Sequence, residues 1–297
     1  MIIVVSGASG LVGSALVASL RAAGHTVRRL VRPGRHGGSG DIPWDPTGAL
    51  DPASLAGCEA VVHLAGESIA ARRWSDEQKR RLRDSRVGPS TRLAAALALL
   101  PRPPRVLVQA SAVGYYGDRG NEVLTEASPP GRGFLPDLCV EWEKASAPAA
   151  AAGIRVVHPR FGVILSHRGG ALRKMLLPFR LGIGGVVGSG GQYWPWVELE
   201  DVVAVLERAL SDETLRGPVN VVAPQPATNR EFTAALARAL HRPAFMPLPA
   251  GLLRLALGEM SSVLLESVRA VPARLNEAGH VFRHTDLDEA LRHAIRT

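Results

Sequence analysis

Three glycines at a spacing of three, Gly7, Gly10 and Gly13, follow directly on the first apolar segment of the chain. That segment, residues 2–6, is the kind of short apolar run that forms a parallel strand covered on both faces. Beyond the glycines, apolar residues recur at helical spacing. A strand that turns into a helix at such glycines lets a ligand approach the backbone, because no Cβ intervenes. The helix N-terminus then favours an anion such as a pyrophosphate.

The rest of the chain alternates between strand patterns and helix patterns. Further strands are predicted at 26–31, 60–65, 105–110, 155–163 and 219–222, and helical segments at 76–100, 136–152, 201–210 and 286–295. Pro89 is expected to mark a break between two helices within 76–100. Strands that alternate with helices from the first residue form a parallel sheet with helices on both faces. We therefore expect an α/β fold, a Rossmann-type doubly wound parallel sheet with a small, mostly helical C-terminal substrate or cap region.

The 297 residues are enough for one large domain with a smaller appendage, and 46% of them are hydrophobic, as in an ordinary globular core. We predict a dinucleotide-binding domain at 1–228 and a C-terminal helical cap at 229–297. A Gly-rich loop and an aromatic cluster lie within an insertion at about 166–198. Packing between lobes and a lid over a pocket are both compatible with that insertion.

The formal net charge is +8, which raises the question of a nucleic-acid partner. The basic residues are scattered, and the densest group, at 79–86, is interleaved with acids. Such a segment is typical of a solvated helix face, and a basic field also attracts an anionic cofactor or substrate. We expect no nucleic-acid partner, and oligomerisation stays open.

The two cysteines, Cys58 and Cys139, have neither metal-ligand spacing nor a disulfide pattern. That usage fits a reducing compartment, so we expect a cytoplasmic protein without a metal site. The N-terminal apolar run breaks at Gly7 and is interpreted as a buried strand, not as a leader. Apolar stretches are too short to span a bilayer, so no membrane partner is expected.

The end of the second predicted strand decides between the two nicotinamide dinucleotides. NAD-selective sites place an acid there to bind the ribose diol. Here the strand ends in basic residues, and Arg32 stands where a 2′-phosphate would lie, with Arg35 nearby. Because guanidinium and phosphate form charge-assisted hydrogen bonds, the sequence favours NADP(H). The predicted cofactor-binding residues are Gly7, Ser9, Gly10, Leu11, Val12, Arg32, Leu64, Ala65, Gly66 and Ala110.

Further motifs extend over nearly the whole chain. They are Leu64-Ala65-Gly66-Glu67, Arg73-Trp74, Ser85-Arg86, Gly114-Tyr115-Tyr116-Gly117-Asp118, Trp142-Glu143, Gly188-Ser189-Gly190 and the segment 269–275. With the glycine turn, they make the chain resemble the extended or atypical short-chain dehydrogenase/reductase superfamily. Within it, the chain is similar to an NAD-dependent epimerase/dehydratase-like family that has a helical C-terminal segment. The resemblance also implies that a His often stands where this chain has Glu198.

The resemblance implies a catalytic Ser or Thr, a Tyr, and a Lys four residues after the Tyr, which lowers the pKa of the phenol. No Tyr in this chain is followed by Lys at that distance; the residues found there are Arg119, Gly120 and Val197. Leu135 and Cys139 occupy the positions where the resemblance would place the Tyr and the Lys. Ser111 keeps the place of the Ser.

Tyr115 and Tyr116 follow Ser111 closely and could supply the missing phenol. The predicted catalytic residues are therefore Ser111, Tyr115 and Tyr116. Simple packing of both tyrosines is the alternative, and Cys139 is more typical of a buried apolar residue than of a catalyst.

Two function classes stay open. The first is an NADP(H)-dependent oxidoreductase or nucleotide-sugar epimerase-like enzyme that acts on a carbonyl compound or a sugar nucleotide. The second is a non-catalytic NADP(H)-binding redox sensor or partner-binding protein, which the missing Tyr and Lys would explain. Hydride transfer needs only an aligned nicotinamide and a carbonyl or alcohol. The sequence therefore favours the enzyme over the non-catalytic sensor.

Overall fold

The computed structural model describes residues 1–34, 38 and 40–296, so Arg35 lies outside the described residues. The strands are β1 Ile2–Ser6, β2 Thr26–Val31, β3 Ile42–Pro43, β4 Ala60–His63, β5 Val106–Gln109, β6 Ser111–Ala112, β7 Val123–Leu124, β8 Arg155–Phe161, β9 Val163–Leu165, β10 Tyr193–Trp194, β11 Trp196–Glu198, β12 Gly217–Val221, β13 Ala227–Thr228 and β14 Arg269–Ala270. The helices are α1 Leu11–Ala22, α2 Asp76–Asp84, α3 Val87–Ala98, α4 Phe134–Lys144, α5 Ala147–Ala151, α6 Gly170–Arg180, α7 Leu199–Ser211, α8 Asn229–Leu240, α9 Ala250–Leu257, α10 Ser262–Leu265, α11 Ala273–Glu277 and α12 Leu287–Arg296.

A parallel sheet in the order β12-β8-β5-β4-β1-β2-β3 organises the chain, and β6 extends the pairing along β8. The order reverses between β1 and β4, so a crevice opens there at the carboxyl ends of the strands, where such sheets bind ligands. This arrangement confirms the predicted doubly wound α/β fold.

The sheet is covered on both faces because successive side chains of each strand point to opposite sides. Ile3 and Val5 join one buried apolar cluster with helices α1 and α7. Val4 joins a second cluster with helices α3 and α5. Such double burial explains why the strands are continuously apolar and not alternating.

A third apolar cluster joins α6 to the C-terminal helices α8, α9 and α12, with Trp194 and Phe232 in edge-to-face contact at its centre. Thr228 begins α8 with a capping box: it accepts from the Glu231 N–H, and the Glu231 carboxylate accepts from the Thr228 N–H. The helical C-terminal region is confirmed, and the division into domains at 228/229 stays a prediction. No helix in the described ranges is long and apolar enough to cross a membrane.

Three predicted elements are divided in the structure. The segment 76–100 forms two helices, as expected, but the break lies at Ser85 and Arg86. Placing it at Pro89 was wrong, because Pro89 lies in the first turn of α3, where its missing N–H costs little. The helix expected at 136–152 is interrupted between α4 and α5. The strand expected at 155–163 stops at Gly162, where a Cβ would lie 2.4 Å from the Pro195 oxygen.

His63 ties the sheet to its flanking helix through two buried hydrogen bonds. Its Nδ1 lies 2.5 Å from the Ser6 hydroxyl and its Nε2 lies 3.0 Å from the Ser90 hydroxyl. Complete burial lowers the pKa of this imidazole from 6.5 to about 4. With both ring nitrogens bonded inside the protein, His63 has a structural role at the end of β4.

We expect acid to destabilise the fold through His63. Between pH 6.5 and its folded pKa, the unfolded imidazole takes up a proton that the folded one excludes. The free energy of unfolding should fall by roughly 2 kcal/mol between pH 6.5 and pH 5 from this group. Urea unfolding at both pH values should show a smaller drop in His63→Gln than in the wild type. The surface variant His25→Gln should keep the wild-type drop, and equal drops in all three proteins would contradict the assignment.

Candidate functional site

The turn between β1 and α1 closes because two of its glycines allow direct backbone contact. Gly7 has φ of +68°, and a Cβ there would lie 2.7 Å from the Leu64 carbonyl carbon. At Gly13, a Cβ would lie 2.2 Å from the Gly7 oxygen. The turn is thus pressed between its own helix and the end of β4, with the α1 N-terminus open toward solvent.

A cavity of about 480 Å³ lies over this turn, and we call it the turn cavity. Seven of the predicted cofactor-binding residues line it: Gly7, Ser9, Gly10, Arg32, Leu64, Ala65 and Gly66. Leu11 lines an adjoining space between α1 and α6, the bridging cavity, which shares Ser9 and Gly10 with the turn cavity. Val12 and Ala110 line neither: Val12 packs against the core and Ala110 is buried behind the sheet edge.

The basic residues at the end of β2 have different surroundings. The Arg29 guanidinium pairs with the Asp41 carboxylate and holds the pKa of that carboxyl below its usual range. The negative charge of Asp41 is therefore compensated by Arg29. Arg32 is exposed at the rim of the turn cavity and has no hydrogen bond or ion pair with any described residue. Among the described residues, nothing compensates its charge at this rim.

Trp44, which the sequence did not single out, forms another wall of the turn cavity. Its ring meets His63 edge-on at 5.7 Å, and only 4% of the residue is exposed. The buried indole Nε1 has no hydrogen-bond partner within the described part of the chain. Buried polar groups are normally satisfied, so this N–H is a ready donor for a ligand.

A second cavity, of about 390 Å³, lies at the carboxyl ends of β6 and β8, and we call it the central cavity. It shares Gly170 with the bridging cavity. Leu135 and Cys139 line it from one face of α4, one turn apart. The positions that the resemblance assigns to Tyr and Lys thus face this cavity with an aliphatic side chain and a thiol. Burial raises the pKa of that thiol to about 12, so Cys139 is not a thiolate.

The predicted catalytic residues meet in a buried polar network. The Ser111 hydroxyl donates to the Glu143 carboxylate at 2.6 Å, and Glu143 forms a bidentate ion pair with Arg160. Arg160 donates to the Tyr116 hydroxyl at 3.0 Å and lies 3.4 Å from the centre of the Tyr115 ring.

None of the three is among the described residues that line the central cavity. Tyr116 is fully buried, donates to the Asn220 side chain at 2.7 Å, and has a raised pKa from desolvation. Its hydroxyl and that of Ser111 are committed to partners inside the protein. The catalytic role of Ser111, Tyr115 and Tyr116 stays a prediction.

Ionisable groups that the sequence did not predict as functional line the central cavity instead. Arg86 is buried, donates to the Glu67 and Leu82 oxygens, and lies over the Trp142 ring. A Cβ at Gly66 would lie 3.3 Å from its guanidinium carbon, so Arg86 stands between the turn cavity and the central cavity. The Ser85-Arg86 pair was visible as a motif, but only the fold shows what it faces.

Glu266 is the one carboxylate among the described lining residues of the central cavity. Burial raises the pKa of this carboxyl, and the like charges of Asp118 and Glu259 raise it further. A carboxyl that keeps its proton to higher pH is suited to donate that proton to a ligand. Nothing in the local sequence marks Glu266, because its environment comes from three separate segments.

Glu198 lines none of the turn, bridging and central cavities. Its buried carboxylate accepts from the Glu200 N–H at the start of α7, and His293 Nδ1 lies 3.4 Å away. The rings of His284 and His293 stack at 4.5 Å, and ligand atoms of Glu198 and both histidines lie within 4.8 Å of one another. This group joins the β11–α7 corner to α12, a part of the fold for which the sequence predicted no metal.

Comparison with known proteins agrees with this architecture. Residues 3–223 match the NAD-dependent epimerase/dehydratase family, and residues 248–294 match a domain of unknown function, DUF1731. An epimerase family protein of Mycobacterium bovis is 46% identical, over 99% of this chain and 97% of its own length. The human epimerase family protein SDR39U1 is 37% identical, over 99% of this chain and all of its own.

Two solved structures extend the comparison. The crystal structure of human SDR39U1 (isoform 2) with NADPH superposes with a TM-score of 0.91 at 36% identity and covers 100% of both chains. A nucleoside-diphosphate sugar epimerase of Corynebacterium glutamicum gives a TM-score of 0.83 at 37% identity, over 99% of this chain and 58% of that one. The resemblance inferred from the motifs is confirmed: the chain belongs to the NAD-dependent epimerase/dehydratase family.

Proposed function

We propose that this protein is an NADP(H)-dependent oxidoreductase that interconverts a carbonyl compound and its alcohol. The observation that carries the proposal is a series of three adjoining cavities that share lining residues. The turn cavity shares Ser9 and Gly10 with the bridging cavity, which shares Gly170 with the central cavity. A dinucleotide lying along this series would have its pyrophosphate at the α1 N-terminus. Its nicotinamide end would reach the central cavity.

The residues present fit such a cofactor. A Cβ at Gly7 or Gly13 would collide with backbone, so the turn keeps the bare surface that a pyrophosphate needs. Arg32 supplies a cation for a 2′-phosphate, while the acid nearby, Asp41, is held by Arg29. The human relative with 36% identity was solved with NADPH. These points favour NADP(H) over NAD.

Within the central cavity, a bound nicotinamide would supply or accept the hydride at the substrate carbon. In the direction of reduction, the carbonyl oxygen needs a proton, and Glu266 is placed and tuned to donate it. Solvent then reprotonates the Glu266 carboxylate. Arg86 keeps a fixed positive charge at the inner end of the cavity, where negative charge on oxygen would be stabilised.

One observation favours a second function, a non-catalytic NADP(H)-binding sensor. The α4 positions that would carry Tyr and Lys in the superfamily hold Leu135 and Cys139, and both face the cavity. A sensor needs the cofactor but no proton relay. Tight NADPH binding without turnover on any carbonyl or alcohol, together with a partner that distinguishes NADPH from NADP⁺, would support this function.

Substitutions at the glycines between β1 and α1 test the cofactor site. Gly13→Ala should destabilise the protein by about 1–3 kcal/mol, because its Cβ must displace the Gly7 carbonyl, and should weaken NADPH binding strongly. Gly10→Ala, whose Cβ would lie 3.2 Å from the same oxygen, should fold and lose less affinity. Thermal unfolding and titration calorimetry measure the two effects. Gly251→Ala, with open space around its Cβ, is the control, and unchanged NADPH affinity in Gly13→Ala would contradict the site.

Cofactor selectivity tests Arg32. Arg32→Ala should lower the affinity for NADPH by about tenfold or more, since it removes a charge-assisted contact with the 2′-phosphate. NADH affinity should stay within error. Arg102→Ala removes an exposed charge elsewhere and should change neither affinity. An equal loss for both coenzymes would show that Arg32 does not read the phosphate.

The pH profile tests Glu266. Carbonyl reduction should slow as pH rises through the raised pKa of this carboxyl, because the proton donor is lost. Glu266→Gln should lower kcat by roughly a hundredfold and abolish that limb of the profile, with NADPH affinity retained. Glu213→Gln, at an exposed position, should behave as wild type. A Glu266→Gln enzyme with unchanged kcat and pH profile would remove Glu266 from the mechanism.

A further inference from the structure

A third large space lies beyond the central cavity, and it indicates what kind of substrate the protein takes. This outer cavity, of about 480 Å³, is enclosed by α6, α8, α9 and the loop 183–187. It shares five lining residues with the central cavity: Ala70, Ala171, Lys174, Trp194 and Val263. A ligand whose reacting group lies in the central cavity can therefore extend into the outer one.

The walls of the outer cavity are almost entirely apolar. They are formed mainly by Met175, Phe179, Val187, Phe232, Leu257 and Leu264. Lys174 is the one charged residue among the described lining residues, and its ammonium donates to the Ala70 oxygen at 2.7 Å. Apart from the Trp194 indole, the remaining polar side chains in the walls are Asn229 and Thr233. The side-chain oxygen of Asn229, Oδ1, already accepts from the Val187 N–H.

Such walls suit a hydrocarbon and not a nucleoside diphosphate. Two phosphates need several cations or N–H donors, and burying them against apolar walls without such partners is costly. One lysine that already donates to a backbone oxygen does not meet that need. An alkyl chain needs only apolar contact, and each buried CH₂ contributes about 0.8 kcal/mol.

Large apolar side chains are also exposed in the segments next to the outer cavity. Ile183, which lines the cavity, and Met246 are close to half exposed, and Phe245 is more than half exposed. Backbone hydrogen bonds join the segments 184–188 and 246–248, so the chain that carries Phe245 and Met246 runs beside the loop that lines the cavity. Exposed apolar side chains next to an apolar cavity are typical of a site that receives an apolar ligand.

We infer that the substrate of this protein is a long-chain aliphatic carbonyl compound or alcohol, whose alkyl chain lies in the outer cavity while its oxygen-bearing carbon lies in the central cavity. This inference rests on the proposed function for the reaction, and the binding of the chain stands apart from turnover. Reduction transfers a hydride to the carbonyl carbon and a proton to its oxygen, and NADPH becomes NADP⁺.

The test is a chain-length series of straight aldehydes, butanal, hexanal, octanal, decanal and dodecanal, at saturating NADPH. We expect kcat/KM to rise by about fourfold for each added CH₂ until the outer cavity is filled, as about 0.8 kcal/mol per CH₂ implies. UDP-glucose should neither react nor compete. Higher kcat/KM for a sugar nucleotide than for dodecanal, or no dependence on chain length, would overturn the inference.

A matched pair of variants tests where the chain lies. Ala70→Phe narrows the passage between the two cavities and leaves the backbone oxygen that Lys174 binds. It should lower kcat/KM for dodecanal at least tenfold and spare butanal. Ala71→Phe places the same ring one residue further on, at an exposed position that lines neither cavity, and should match wild type. Equal loss for both aldehydes in Ala70→Phe would contradict the placement.

Failure of the proposed function would look different. Calorimetry with dodecanol and NADPH-loaded protein measures chain binding without any reaction. Binding that Ala70→Phe weakens and Ala71→Phe preserves, with no turnover of any aldehyde, would overturn the oxidoreductase function and keep the alkyl-chain site. Turnover of butanal without dodecanol binding would keep the function and overturn the alkyl-chain site.

Discussion

The contact between the Gly7 oxygen and the α carbon of Gly13 is the constraint on which the rest of the structure depends. It sets the angle at which α1 leaves β1 and, with the close approach of Gly7 to Leu64, fixes the end of β4 against the same turn. The crevice at the reversal of the strand order opens above this point. The turn and bridging cavities are both lined by this turn, so a shift there would displace the floor of both.

The Arg160 network is the second organising element, and it explains an apparent contradiction. The chain keeps a serine and two tyrosines near the expected reaction centre, yet the hydroxyls of Ser111 and Tyr116 are bonded to Glu143, Arg160 and Asn220, and the Tyr115 ring lies against Arg160. Burying Arg160 is tolerable because Glu143 pairs with it through two hydrogen bonds. The network thus links β6, α4, β8 and β12 through side-chain hydrogen bonds.

Much of the fold was predictable from the sequence because the local signals agree. The strand–glycine–helix order predicted the first unit, and seven of the ten predicted cofactor residues line the turn cavity. Side-chain direction was not predictable: Tyr116 follows Ser111 closely in sequence, but a short 3-10 helix turns it into the core. Glu266 and Trp44 were missed for a related reason, since their surroundings come from segments distant in the chain.

The outer cavity is closed by two segments that are about sixty residues apart and are joined by few bonds. Gly188 donates to Leu248, Leu248 to Val186, and Met246 to Gly184, all through the backbone. These three bonds involve no strand of the parallel sheet, so the wall of the outer cavity is supported separately from the strands that carry the turn cavity. Changes of sequence in this wall can therefore alter the shape of the outer cavity without altering the backbone at the glycine turn.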